Sequence, residues 1–292
     1  MATRLIIGCG YLGGRVVRRW LAAGDAVYAV TRRADRALAW QQEGLKPVVA
    51  DVTDRPTLDL PTADTVLYAV AHDPRSGKSH TETHVVGLTN VLDALPPTFR
   101  RLIYISTTGV YGDGQGQWVD EETPCHPQRP AGVACLAAER MLEAHGHGRR
   151  AVILRLAGLY GPDRIPRIDA LLAGEALDAP QHGFLNLVHV DDAVEAVLAA
   201  DEIETSLPRR YLIADGAPVE RDEYYAELAG LVGAPAPRFR LPQRETPAYA
   251  RATADKRVSN ARMLAELQLT LRYPSYREGL RAIVAGRQAL GE

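Results

Sequence analysis

The 292-residue sequence has few groups that could cross-link it or attract a highly charged partner. Its three cysteines, Cys9, Cys125 and Cys135, form neither a disulfide framework nor a CxxC metal-binding pair. Its 34 basic and 36 acidic residues nearly balance, which gives no electrostatic reason to expect a nucleic acid or a membrane surface as a partner. The apolar N-terminus is too short for a signal peptide, and no long apolar span follows. We therefore expect a soluble, cytoplasmic protein without a metal site.

Lysine is as scarce as cysteine. Only Lys46, Lys78 and Lys256 are present, so arginine supplies almost all of the positive charge. A mechanism that needs a lysine at a particular place can draw on these three positions alone.

A glycine-rich turn lies near the N-terminus, between an apolar segment and a helical pattern. The turn reads Gly8-Cys-Gly-Tyr-Leu-Gly13, the GxGxxG spacing of a dinucleotide-binding turn. Gly8 permits the turn, Gly10 lets the backbone approach a pyrophosphate, and Gly13 lets the helix pack on the strand. With Tyr11 and Leu12 between them, these residues are predicted to bind the phosphates at the helix N-terminus.

Apolar runs and helical patterns alternate through the first half of the chain. The predicted strands are Leu5–Ile7, Ala26–Val30, Val48–Ala50, Val66–Val70, Leu102–Ile105 and Val152–Leu156, separated by helical segments such as Gly14–Ala23, Ala34–Glu43, Glu82–Leu95 and Val133–Ala144. This alternation predicts a Rossmann-type doubly wound parallel sheet. We expect residues 1–157, with 185–202 returning to them, to form the NAD(P)-binding domain. Residues 158–184 and 203–292 are expected to form a smaller, discontinuous α/β substrate-binding domain.

The end of the second strand favours NADP over NAD as the cofactor. An NAD enzyme usually has an acidic residue there, whereas this chain has Thr31, Arg32 and Arg33. Two arginines suit a 2′-phosphate, although they are also compatible with a solvated surface turn. Further cofactor contacts are predicted at the ends of the next two strands, at Asp51, Val52, Ala69 and Ala71.

Five segments carry a family resemblance. They are Ile103-Tyr-Ile-Ser-Thr-Thr-Gly-Val-Tyr-Gly112, Gly87-Leu-Thr-Asn-Val-Leu-Asp-Ala94, Leu154-Arg-Leu-Ala-Gly-Leu-Tyr-Gly-Pro162, Asn186-Leu-Val-His-Val-Asp-Asp192 and Tyr211-Leu-Ile-Ala-Asp-Gly216. The chain resembles the extended short-chain dehydrogenase/reductase family, which includes sugar-nucleotide epimerases and dehydratases. The resemblance covers nearly the whole chain. It implies a homodimer formed through the helices near 82–95 and 133–144.

The catalytic residues that the resemblance implies are incomplete. The family uses a Ser or Thr together with a Y-x-x-x-K pair, and Thr107 takes the first of these places. The family's next helix carries Y-x-x-x-K-x-x-x-E, and Glu139 matches the glutamate of this motif. In that alignment Ala131 takes the place of the tyrosine and Cys135 the place of the lysine. The sequence therefore predicts an atypical member that retains the cofactor site but lacks the usual acid–base pair.

Several residues are candidates for the remaining chemistry. Tyr111 is predicted either to relay a proton or, as the favoured alternative, to contact substrate or pack without proton transfer. Cys135 as a nucleophile, assisted by His126, is a weaker hypothesis than Cys135 as a small buried residue. His72, after the fourth strand, is predicted to border the nicotinamide and the substrate. Arg164 and Arg167 are candidates for an anionic substrate, or are ordinary surface charges.

Two functions follow from these patterns. The first is an NAD(P)-binding oxidoreductase or epimerase/dehydratase-like enzyme that acts on a small polar molecule, with nucleotide-linked compounds among the candidates. The alternative to this leading function is a non-catalytic NADP-binding redox sensor or regulatory protein, which the replaced acid–base pair favours and the retained Thr107, Tyr111 and substrate-domain motifs disfavour.

Overall fold

The computed structural model describes residues 1–204, 209–244, 246, 249 and 253–290. The described strands are β1 (Thr3–Ile7), β2 (Ala26–Thr31), β3 (Lys46–Val49), β4 (Thr65–Tyr68), β5 (Arg101–Thr107), β6 (Trp118–Val119), β7 (Ala151–Leu156), β8 (Gly158–Tyr160), β9 (Ala176–Asp178), β10 (Phe184–Leu185), β11 (Leu187–His189), β12 (Arg209–Ile213), β13 (Val219–Glu220), β14 (Arg238–Arg240) and β15 (Arg257–Val258). The described α-helices are α1 (Gly13–Ala22), α2 (Ala34–Gln42), α3 (Gly87–Ala94), α4 (Pro130–Ala144), α5 (Ile168–Leu172), α6 (Val190–Glu202), α7 (Arg221–Val232), α8 (Ala261–Glu266) and α9 (Tyr276–Leu290).

The chain divides into two compact units. The first contains residues 1–107, 133–155 and 194–211, and the second contains 108–132, 156–193 and 212–292. Parts of the second predicted domain, residues 205–208 among them, lie outside the described residues. Across the described part of the chain, no helix is both long and apolar enough to cross a membrane.

A seven-stranded sheet in the order β3-β2-β1-β4-β5-β7-β12 organises the first unit. The pairs β1–β2, β2–β3, β1–β4 and β4–β5 are parallel, and the strand order reverses between β1 and β4. The predicted Rossmann-type doubly wound sheet is confirmed. Ligands bind such sheets beyond the carboxyl ends of the strands at the point of reversal.

The six predicted strands are all present, and their apolar residues form the core of the first unit. Leu5, Val66, Leu102 and Ile153 are fully buried in one hydrophobic cluster that also covers α3. The seventh strand, β12, was not among the predicted strands. The helix predicted over 82–95 has a π-helical first part, Glu82–Val86, before α3 begins.

In the described part of the second unit, the sheets are two-stranded and pack with helices around a separate core. Its core residues share near-complete burial and include several tyrosines: Tyr160, Leu171, Leu177, Tyr224, Leu228, Tyr276 and Leu280. Residues 108–132, which the sequence suggested belong with the first domain, pack in this unit. β6 pairs in parallel with β15, and Glu121 accepts a hydrogen bond from the Leu212 backbone N–H at 2.9 Å.

Candidate functional site

A cavity of about 270 Å³ lies within the first unit, at the carboxyl ends of β1, β2 and β4 and just after β3. Its lining residues come mostly from the loops that follow these strands: Ile7, Gly8, Cys9, Gly10, Val30, Thr31, Arg32, Arg36, Trp40, Ala50, Asp51, Val52, Thr53, Ala69, Val70, Ala71, Asp73, Ser76, Lys78 and Thr83. The cavity is therefore at the strand-order reversal, where dinucleotides bind in doubly wound sheets.

The glycine turn forms one wall of this cavity, and its three glycines differ in their surroundings. Gly8 has φ +99°, and a Cβ there would lie 2.4 Å from the Ala69 carbonyl carbon. A Cβ on Gly13 would lie 2.5 Å from the Gly8 oxygen, so α1 packs closely on the turn. At Gly10 a Cβ would meet nothing within 4 Å. The turn therefore leaves open space beside the Gly10 backbone for a phosphate to approach.

Helix α1 begins at this turn without a cap that would compete with an anion. Leu12 is its N-cap residue and supplies no side-chain hydrogen bond, and the first turn contains no acidic residue. The free N–H groups and positive dipole end of such a helix favour a phosphate. Burial raises the pKa of Cys9 to about 11, so the thiol beside the turn stays neutral at pH 7. These features fit the pyrophosphate of a dinucleotide.

Two arginines line the cavity from different elements. Arg32 follows β2, and its Nη2 lies 3.6 Å from Asp73 Oδ2. Arg36, in α2, donates from Nη2 to the Cys9 carbonyl at 2.7 Å, and its guanidinium carbon is 4.7 Å from the centre of the Trp40 ring. Arg36 was not a predicted site residue. It is four residues beyond Arg32, and its position depends on how α2 packs against the glycine turn.

Four predicted cofactor residues do not line the cavity. The Arg33 guanidinium is exposed and pairs with Asp35. Tyr11 stacks with the Arg15 guanidinium at 4.1 Å, while Leu12 and Gly13 begin α1. The other predicted cofactor residues all line it: Gly8, Gly10, Thr31, Arg32, Asp51, Val52, Ala69 and Ala71.

The predicted catalytic residues Thr107 and Tyr111 are close in the sequence but belong to different units. Thr107 is the last residue of β5 in the first unit. Tyr111 ends the 3₁₀ helix Thr108–Tyr111 in the second unit, where it is buried and its hydroxyl donates to the Asp120 carbonyl at 2.6 Å. This hydrogen bond supports a structural role for Tyr111, and proton transfer by it stays a prediction.

Ala131 and Cys135 lie in the first half of α4. Ala131 is half-buried, and Cys135 is buried beside Tyr104, whose pKa is raised by burial and by the nearby Cys135 thiol. The same helix carries Glu139, which is fully buried and pairs with Arg155 at 2.6 Å. The Cys135 environment is that of a buried small residue.

The predicted substrate residues are spread over both units. In the first unit, His72 Nε2 is 2.8 Å from the Lys78 carbonyl oxygen, and its ring centre lies 3.9 Å from that of His80. In the second unit, Arg164 donates to the Leu159 carbonyl at 3.1 Å, and Arg167 adopts a left-handed conformation immediately before α5.

Comparison with known families gives this geometry a context. A model of the NAD-dependent epimerase/dehydratase family matches residues 5–214, more than half of the chain. The chain belongs to this family. The resemblance to extended short-chain dehydrogenases/reductases is thereby confirmed.

Two proteins related in sequence and one solved structure show what the chain is similar to. Protein YeeZ of Escherichia coli is 30% identical over 241 residues, which cover 80% of this chain and 85% of that protein. Human short-chain dehydrogenase/reductase family 42E member 1 is 28% identical over 68% of this chain and 60% of its own length. UDP-glucose 4-epimerase of Thermotoga maritima, solved with UDP-glucose, has a TM-score of 0.82 over 99% of this chain and 100% of its own. At 20% identity, that structure supports the fold alone.

Proposed function

We propose that this epimerase/dehydratase family member binds NADP(H) in the cavity at the strand-order reversal and acts as an oxidoreductase or epimerase/dehydratase-like enzyme on a small polar substrate. The uncapped start of α1 beside the open Gly10 backbone carries the proposal, because it combines space, N–H donors and a positive dipole for a pyrophosphate. A bound nicotinamide would supply hydride transfer. Family membership and the residues lining the cavity support the same cofactor site.

Arg32 and Arg36 support NADP as the preferred cofactor. Both line the cavity near Thr31 and Asp51, at the ends of β2 and β3 where the adenosine ribose of a dinucleotide binds. A guanidinium forms charge-assisted, paired hydrogen bonds with a phosphate. Asp73 pairs with both Arg32 and Arg75, whereas Arg36 donates to the Cys9 carbonyl, which leaves its positive charge available for a 2′-phosphate.

We predict that replacing Arg32 and Arg36 by glutamine weakens NADPH binding far more than NADH binding. Each lost charge-assisted bond costs about 1.5–3 kcal/mol, which corresponds to about 10–150-fold in Kd. NADH lacks the 2′-phosphate and should lose less than about threefold. Titration calorimetry of R32Q, R36Q and the double variant with both nucleotides measures the difference.

The exposed Arg33 provides the matched variant. Because Arg33 already pairs with Asp35, R33Q is expected to change NADPH affinity less than R36Q does. If R32Q and R36Q weakened both nucleotides equally, the assignment of NADP would be wrong. If R33Q alone removed the preference, the sequence-based prediction for Arg33 would hold and Arg36 would have no such role.

Turnover separates the enzyme from a non-catalytic sensor. Ala131 has no ionisable group and Cys135 is buried, so the proton that accompanies hydride transfer must come from another side chain or from water. A positioned acid or base supplies about 10²–10⁴ in rate, so slow turnover is expected rather than none. NADPH oxidation should be followed with a panel of sugar nucleotides and small carbonyl compounds. Tight binding without turnover on any of them would favour the sensor.

The homodimer remains a proposal that the family resemblance implies. The two helical segments it would use each present an exposed valine, Val86 and Val133. Exposed apolar residues on these helices support such an interface.

A further inference from the structure

Lys256 is a buried cation with little to neutralise it. Its residue is only 8% exposed, and its ammonium donates to the Gly112 carbonyl at 3.0 Å. An ammonium has three N–H donors, and among the described residues this carbonyl is its one hydrogen-bond acceptor. No described carboxylate lies within 4.0 Å of Nζ. Buried charges are normally paired, so this arrangement needs a physical explanation.

The two carboxylates that act electrostatically on Lys256, Asp113 and Asp255, accept hydrogen bonds from the backbone. Asp255 Oδ1 accepts the Phe184 backbone N–H at 2.7 Å, and Asp113 Oδ1 accepts the Asp255 backbone N–H at 3.0 Å. Both raise the pKa of Lys256, but burial, the largest effect, and the charge of Arg129 outweigh them and lower it to about 8. The carboxylates thus hold the local backbone and leave the ammonium under-compensated.

The surroundings of Lys256 add further positive charge. Arg129 precedes α4 directly, and α4 has no acidic residue in its first turn. The start of α4 packs on the segment that carries Tyr111, because a Cβ on Gly132 would lie 2.7 Å from the Gly109 oxygen. Lysine, arginine and the N-terminal end of a helix therefore occur together in the second unit, next to the turn after Tyr111.

The backbone of Lys256 is fixed on both sides. Asn186 Nδ2 donates to the Lys256 carbonyl at 2.8 Å, and Asn186 Oδ1 accepts the Val258 N–H at 2.7 Å. β15 begins at the next residue and pairs with β6. A backbone fixed in this way loses little conformational entropy when a ligand binds to the Lys256 side chain.

We propose that Lys256, assisted by Arg129, binds an anionic group of the substrate, either a phosphate or a carboxylate, beside the Tyr111–Gly112 turn. This inference rests on the proposed function only in assigning the bound anion to the enzyme's substrate, because anion binding at Lys256 itself requires no cofactor. An anion would accept the remaining ammonium protons and balance the positive charge of Lys256. It would also give the second unit a specificity for acidic or nucleotide-linked molecules.

The scarcity of lysine allows the proposal to be tested directly. With only Lys46, Lys78 and Lys256 in the chain, three side-chain signals are expected in NMR spectra of protein carrying ¹³C-labelled lysine. Without anions in the buffer, the Lys256 signal should titrate near its pKa of about 8. Inorganic phosphate, UDP or glucuronate, added without cofactor, should shift this signal saturably and raise the pKa.

Three variants connect the signal to the site. K256M should abolish anion binding, or weaken it by at least about tenfold, while keeping the fold, because methionine fills a similar volume without charge. K46M, which removes an exposed charge in the first unit, should bind anions like the wild-type protein. R129Q should raise the pKa of Lys256 and yet weaken anion binding, which a merely structural lysine would not do.

The outcomes distinguish the ligand and the two proposals. A response to phosphate and UDP identifies a phosphate site, and a response to glucuronate alone identifies a carboxylate site. The proposal is overturned if none of the three anions shifts the Lys256 signal, or if K256M retains the response. NADPH is absent from these experiments, so a protein that fails to bind NADPH could still bind anions at Lys256. Equally, a protein that binds no anion at Lys256 could still bind NADPH.

Discussion

At the scale of single residues, His84 illustrates how burial sets chemistry. It is 8% exposed, and its ring is nearly parallel to that of His80, with the ring centres 6.1 Å apart. Its Nδ1 is buried and has no hydrogen-bond partner among the described residues. Burial first, and then the charges of His80 and His72, lower the pKa of His84 to about 4. His84 is therefore a neutral imidazole in the folded protein at pH 7.

This lowered pKa predicts a pH-dependent stability. The unfolded chain protonates His84 near pH 6.5 whereas the folded chain does so near pH 4, so stability falls as pH falls through this window. Between pH 7 and pH 5 the loss from this group should be about 2 kcal/mol. Urea unfolding of wild-type protein and H84Q at both pH values measures it.

The comparison needs a second histidine variant. H126Q removes an exposed histidine and serves as the matched control. H84Q should lose less stability on acidification than the wild-type protein does. Parallel pH profiles for the wild-type protein and H84Q would show that His84 is not a buried neutral group.

The sequence predicts some of the residues discussed above and not others. The glycine spacing predicts Gly8 and Gly10, because a phosphate-binding turn depends on local backbone geometry. Arg36 and Lys256 escaped prediction because helix packing and a long-range strand pair determine their positions. Burial of Lys256 depends on contacts with Gly112, 144 residues away along the chain.

At the scale of elements, a buried polar cluster joins α4 to two strands of the sheet. Glu139 of α4 pairs with Arg155 of β7 and accepts a hydrogen bond from Ser106 of β5. All three residues are buried. A buried ion pair of this kind changes the free energy of unfolding little compared with a well-packed apolar pair. Removing one partner is strongly destabilising, because the other charge is then left buried and unpaired.

We predict strong coupling between Glu139 and Arg155. E139L leaves a buried guanidinium and should lower the free energy of unfolding by about 3–5 kcal/mol. R155M should cost a similar amount, whereas the double variant E139L/R155M should recover most of the loss. Chemical denaturation of the four proteins gives the coupling energy. Simple addition of the two losses would contradict a paired role.

The elements themselves were largely predictable from local pattern. Alternating apolar runs and helical periodicity predicted the strands β1 to β5 and β7, because buried parallel strands require continuous apolar segments. β12 was missed since its five residues follow a helix outside the regular alternation. The π-helical turn at Glu82–Val86 could not be predicted either. The spacing of apolar residues does not distinguish i→i+5 hydrogen bonds from i→i+4 hydrogen bonds.

At the scale of the whole molecule, the chain carries a cavity at the strand-order reversal of an epimerase/dehydratase-family sheet. The first unit has the sheet order, the open glycine turn and the uncapped helix of a dinucleotide site. Ala131 and Cys135 of α4 are the residues that the sequence resemblance predicts at the family's tyrosine and lysine positions. Cofactor binding is therefore the central claim, and the nature of the chemistry depends on it.

Titration calorimetry of the wild-type protein with NADPH and NADH tests this claim most directly. We predict saturable binding of one NADPH per chain, with a Kd at least about tenfold lower than that for NADH, because the cavity presents Arg32 and Arg36 to the 2′-phosphate. Equal affinities would retain the dinucleotide site and remove the NADP preference. Absence of binding by either nucleotide would contradict the account.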